Sequence, residues 1–192
     1  LNRLLQPLAY WRIRHPAKWR YDLGLPAAVA VPLAALLLWG PLDLNLVGQN
    51  GLLDKINGLI GILSGFFIAA LAAVATFDRP SMDDPMPGDP PKLRIVERGA
   101  AYDVAMSRRL FLSMLFGYLS LASFGIYFFG SVLQLAAQAD ADISARVMFF
   151  ARPVLTASYL FVVSNIFVNT ALGIYYLSYR LHDVTSKLVQ RE

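Results

Sequence analysis

Four uninterrupted apolar runs, each long enough to cross a bilayer as a helix, constrain this chain more than any other feature of its sequence. A hydrocarbon core about 30 Å thick takes roughly 20 residues of helix. The runs cover residues 23–42, 56–77, 110–133 and 153–176, and none contains Asp, Glu, Lys or Arg. Backbone in lipid must satisfy its hydrogen bonds internally, so each run is expected as a helix. The expected fold class is therefore all-α, an integral membrane protein with four transmembrane helices. Buried hairpins of a soluble core are the competing reading, and four such runs in 192 residues disfavour it. The composition agrees: 57% of residues are hydrophobic and 16% charged, where soluble domains carry about 25% charged residues. The first run is too long for a cleaved signal peptide, and no small-x-small cleavage site follows it before Trp39 and Pro41. The sequence opens on Leu1 rather than methionine, which leaves room for upstream residues.

The net charge of +4 suggests nucleic acid until the basic residues are placed. Fourteen of the 17 fall before the first run, between the second and third, or after the fourth. Only Lys55, Arg146 and Arg152 fall in the other two connections. The positive-inside rule then puts both termini and the central connection in the cytoplasm, with a bacterial inner membrane as the expected location. The charge is a topology signal, and no direct nucleic-acid binding is expected.

The connections have distinct characters. Residues 1–22 are basic and aromatic: Trp11 and Trp19 with Arg12, Arg14 and Arg20 suit the headgroup level. An interfacial helix broken near Pro7 and Pro16 is expected there, either a plain anchor or a lipid-sensing or partner-binding segment. Residues 43–55 form a short outer loop. Residues 78–109 form the largest polar piece. Its first half, around Pro85 and Pro87, is expected to be extended and solvated. In its second half Leu93, Val96, Ala100 and Val104 recur at helical spacing, which predicts a helix leading into the third span. Asp83, Asp84 and Asp89 beside Arg94 and Arg98 offer a docking surface for a cytoplasmic protein, the alternative being a plain tether. Residues 134–152 are expected to carry a short interfacial helix (Ile143, Val147, Phe150) that turns at Pro153. Residues 177–192 repeat Leu181, Val184 and Leu188 as a helical tail.

Two patterns lie within the spans. Gly61, Gly65, Ala69 and Ala73 are spaced by four along the second, with Gly58 extending the face. Ser113 and Gly117 are a looser equivalent in the third. Helices in lipid associate through close packing of small residues, so the ladder is expected to meet another helix, of this chain or of another copy. In the fourth span Ser158, Asn165 and Asn169 share one face, with Asn165 near the expected midplane. A buried amide needs partners, so this face is expected either to join helices or to line a polar cavity.

No catalytic or metal-binding set assembles. The only histidines are His15 and His182, cysteine is absent, and no metal-binding helix motif, phosphate loop or serine elbow occurs. Neither enzyme activity nor a cofactor is expected. Four spans, internal termini, the Gly61/Gly65 ladder and the proline-rich segment around Pro85 together resemble the small four-span membrane subunits of bacterial anti-phage systems, of the Kiwa membrane-subunit type. The resemblance lies in architecture over the whole chain and carries over no site residue. It implies a homo-oligomer that senses envelope disturbance and recruits a cytoplasmic partner. The expected function is thus an oligomeric membrane scaffold or sensor. The alternative is an ion channel or permeabilising effector lined by the polar face of the fourth span.

Overall fold

The computed structural model describes residues 5–40, 46, 50–76, 78, 82–86, 88–97, 100–138 and 145–178. The order is a 3₁₀ helix (Gln6–Arg12), β1 (Ile13–Arg14), a π-helical stretch (Arg20–Gly24), α1 (Leu25–Trp39), α2 (Leu52–Thr76), β2 (Lys92–Glu97), β3 (Ala100–Ala105), α3 (Arg108–Gln138) and α4 (Ala145–Ser178). Four helices are long and apolar enough to cross a membrane, the first including the π-helical stretch. α2 packs on α3, α3 on α4, and α4 on α1. Ile60, Phe67, Leu115, Phe116, Leu119 and Ile166 fill the space between α2, α3 and α4. A smaller cluster, Ala30, Ala34, Leu37 and Leu160, holds α1 on α4.

The fold is mostly helical, as expected, but it also contains a small three-stranded antiparallel sheet in the order β1-β2-β3. The helix expected from Leu93 to Val104 is a hairpin, and α3 begins only at Arg108. The pairing of Glu97 with Ala100 leaves two residues to join β2 and β3. Spacing over so short an apolar segment fits both periods. A glycine inside a helix costs about 1 kcal/mol, whereas the β-branched Ile95, Val96 and Val104 suit strands.

The proline-rich segment is also more than a solvated tether. Met82 and Met86 are buried with Met106, Met86 N–H donates to Met106 C=O at 3.2 Å, and Met106 N–H donates to Pro91 C=O at 2.9 Å. The helix-breaking prolines shape a strap whose methionines are the apolar plugs. α4 runs straight through Pro153, so the expected turn there is absent. α1 likewise continues through Pro32. The outer-loop residues 41–45, 47–49 and 139–144, and the tail 179–192 with Leu181, Val184 and Leu188, lie outside the described residues.

Candidate functional site at one end of the bundle

The N-terminal segment, the strap and sheet, the start of α3 and the end of α4 come together at one end of the bundle. Arg12, Arg14, Lys18, Arg20, Lys92, Arg94, Arg108 and Arg109 therefore gather there, while Lys55 and Arg152 belong to the opposite end. This is the basic end.

Its interior is a buried hydrogen-bond network whose central residue, Asp22, escaped the sequence reading. Asp22 falls one residue before the first apolar run, yet it is only 2% exposed. Local chemistry puts it there. In an α-helix its carbonyl would accept from residue 26, but Pro26 has no N–H. The backbone widens instead, with Leu25 N–H donating to Arg20 C=O, and Asn165 Nδ2 donates to the orphaned Asp22 C=O at 2.7 Å. The carboxylate is paired with Lys18, one turn earlier. The Tyr10 hydroxyl lies 2.9 Å from Asp22 Oδ1 and 3.0 Å from Asn169 Oδ1. One O–H faces two acceptors, and the carboxylate is the stronger.

The network continues into α3 and α4. Tyr118 donates to Asn165 Oδ1 at 2.8 Å, and Asn169 Nδ2 donates to Asn165 C=O at 3.0 Å. Tyr10 stacks on Tyr118 with ring centroids 4.8 Å apart, and Lys18 Nζ lies 4.2 Å from the Tyr10 ring centre. Burial, followed by the nearby Asp22 charge, pushes the Tyr10 hydroxyl above the ordinary tyrosine range. Tyr10 therefore acts as a neutral donor.

The polar face of α4 is thus divided. Asn165 and Asn169 are buried and bonded to partners of the same chain, Asn165 reaching the Asp22 carbonyl at the start of the first long helix. Ser158 is exposed and takes no part. The expected interface anchors Trp11 and Trp19 are 46% and 61% exposed, Trp11 also setting an edge against Tyr118 at 5.7 Å, while the neighbouring Tyr10 is wholly inside. Arg12, Arg14 and Arg20 are exposed. The 3₁₀ helix approaches α3 where Gly117 leaves room, with Pro7 Cβ 3.7 Å from where a Gly117 Cβ would stand. Ser113 is half-buried.

The glycine ladder on α2 faces outward. Gly58 and Gly65 have nothing within 4 Å of a built Cβ, and Gly61 meets only the Tyr127 ring edge. Ala69 is exposed and Ala73 half-buried. The inward face of α2 is Leu53, Asn57, Ile60, Ser64, Phe67, Ala70 and Val74. Within the chain, the close approaches fall at glycines that the sequence pattern did not single out. A Cβ on Gly130 would stand 2.5 Å from Asn57 Oδ1, and one on Gly173 would stand 3.0 Å from Phe116 Cζ.

Of the docking candidates, Asp83 is taken up internally. Arg109 Nε and Nη2 donate to its two carboxylate oxygens at 2.7 and 3.1 Å, and Arg109 Nη1 donates to Val74 C=O at 2.9 Å. One arginine thereby ties strap, α2 and α3 together. The Arg109 hydrogen bonds hold the Asp83 carboxyl below its ordinary range. Asp84, Asp89 and Arg94 are exposed, and Arg98 lies outside the described residues.

Beside the network is a cavity of about 680 Å³ bounded by the N-terminal segment, the strap, α3 and α4. A second, more open one of about 470 Å³ adjoins it, sharing Ile13, His15 and Asp89. No protein-family model matches the sequence, and no curated protein or solved structure is significantly similar to it.

Proposed function

We propose that this chain is an oligomeric scaffold or sensor of a bacterial inner membrane, with its basic end in the cytoplasm docking a soluble protein. Strand β3 carries the reading. It is the outer strand of the sheet, and among the described residues no further strand follows it. Ala101, Tyr102, Asp103, Val104 and Ala105 are all exposed. An outer strand with one charge and no proline is a template for an added strand from a partner. The sheet is anchored rather than tethered, because β1 joins it to the Tyr10–Asp22 network and the strap joins it to α3. A rearrangement of the bundle would therefore reach β3 through packed structure. The outward ladder on α2 supports self-association, since close-packing residues facing outward gain most from another helix. We prefer this to the channel reading because Asn165 and Asn169 are already hydrogen-bonded within one chain.

A photo-crosslinking residue placed at Ala101 in cells tests the docking role. The expected product joins this chain to a soluble protein and is lost when Val104→Pro breaks the edge. The same residue at Trp39, exposed at the opposite end, should give no such product. Adducts at Ala101 that contain only lipid or only this chain would refute docking through β3.

A further inference from the structure

The two adjoining cavities at the basic end have a chemistry that neither scaffold nor docking surface needs. Their lining carries Arg14, Lys18, Lys92 and Arg108 against Asp22 and Asp89, an excess of two positive charges. Lys18 closes on Asp22, and the excess comes from Arg14 and Lys92 of the more open cavity, whose rim therefore favours an anion. His15 stands where the cavities meet. Ala17 N–H donates to its Nδ1 at 3.1 Å, which makes Nε2 the protonated nitrogen and a further donor. The other wall is apolar: Leu25, Phe111, Val168 and Leu172. Leu25 on this wall and Ile174 farther along α4 are both exposed. A soluble anion would use the rim and leave the apolar wall wet. A membrane lipid uses both.

We propose that the two joined cavities bind one anionic phospholipid, its phosphate held by the basic rim of the more open one and its upper acyl chain lying on the Leu25–Val168–Leu172 wall of the other. Each has a volume within the range of about 300–1,000 Å³ of ordinary ligand pockets. Together they suit a headgroup and the start of a chain, with the remaining tail in the bilayer. Because Ile13 of β1 and Met86, Asp89 and Pro91 of the strap also border the cavity, lipid occupancy would brace the sheet against the helices. The site does not depend on the docking reading, and its test is separate.

Native mass spectrometry of the detergent-purified full chain, titrated with phosphatidylglycerol or phosphatidylcholine, decides it. One phosphatidylglycerol should be retained about tenfold more strongly than phosphatidylcholine, whose phosphate is the same but whose choline cation is repelled by the basic rim. Lys92→Gln and Ala171→Trp, which blocks the wall side, should each weaken retention by about tenfold. Lys92→Arg should preserve most of it, and Arg152→Gln, at the opposite end, all of it. The wild-type comparison of the two lipids stands whether or not a variant folds. Equal retention of both lipids would overturn the proposal, as would equal losses in Lys92→Gln and Arg152→Gln. Inorganic phosphate that protects the chain from thermal unfolding as well as phosphatidylglycerol does would make the site one for soluble anions, and would also overturn it.

Discussion

Replacing Asp22 by Asn probes the network at its most heavily used residue. The amide keeps the shape and can still accept the Tyr10 hydroxyl, now 2.9 Å from Oδ1, so packing is preserved and only the charge goes. The loss falls on Lys18, whose side chain is 14% exposed and whose carboxylate partner is 3% exposed. Removing one member of a buried ion pair costs about 3–5 kcal/mol, because the other charge is left uncompensated. Lys18 keeps the Tyr10 and Trp11 ring faces, with centres 4.2 and 5.0 Å from Nζ, and such contacts are worth about 0.5–2 kcal/mol. The expected cost of Asp22→Asn is therefore about 2–3 kcal/mol. In a Lys18→Met background no ammonium remains to be stranded, and the same substitution should cost under about 1 kcal/mol. Reversible unfolding in mixed detergent micelles, run as a double-mutant cycle, measures both. An Asp22→Asn cost within about 0.5 kcal/mol of zero, or an equal cost in the two backgrounds, would refute the argument that the ion pair organises this end of the bundle.

Gly130→Ala should displace Asn57 and break the 2.8 Å bond that it accepts from Tyr159. That should cost about 1–3 kcal/mol, and unfolding should show the cost largely vanishing in an Asn57→Ala background. The Arg109 clamp lowers the Asp83 carboxyl, so its contribution is present above the ordinary value of 3.8 and lost as pH falls through the lowered one. A carboxyl NMR titration should give a midpoint below 3.8 that rises in Arg109→Gln; an unchanged midpoint would count against the clamp. Gly65→Leu fills open space on the outward ladder and should lower the subunit count in native mass spectrometry while leaving monomer stability within about 0.5 kcal/mol. An unchanged oligomer would count against self-association through this face.

The sequence by itself determined the four long helices and the segregation of basic residues, because length without charge and the siting of Lys and Arg are local properties. It could not say which side of α2 faces the other helices. No polar stripe marks its outside, its buried polar residues Asn57 and Ser64 lying on the inward face, and its glycines stood out while Gly130 and Gly173 set the close approaches. The hairpin at residues 92–105 was ambiguous for a related reason: a few apolar residues fit two periods, and only pairing with β1 and the buried methionine strap selects the strand. The network was the least legible feature. Its members are separated by up to 159 residues, and Asp22 was passed over because it stands at the edge of an apolar run. Only the tertiary structure, by bringing Tyr10, Asp22, Asn165 and Asn169 into one buried cluster, decided that a charge at the start of a span is turned inward, where hydrogen bonds replace the water it has lost.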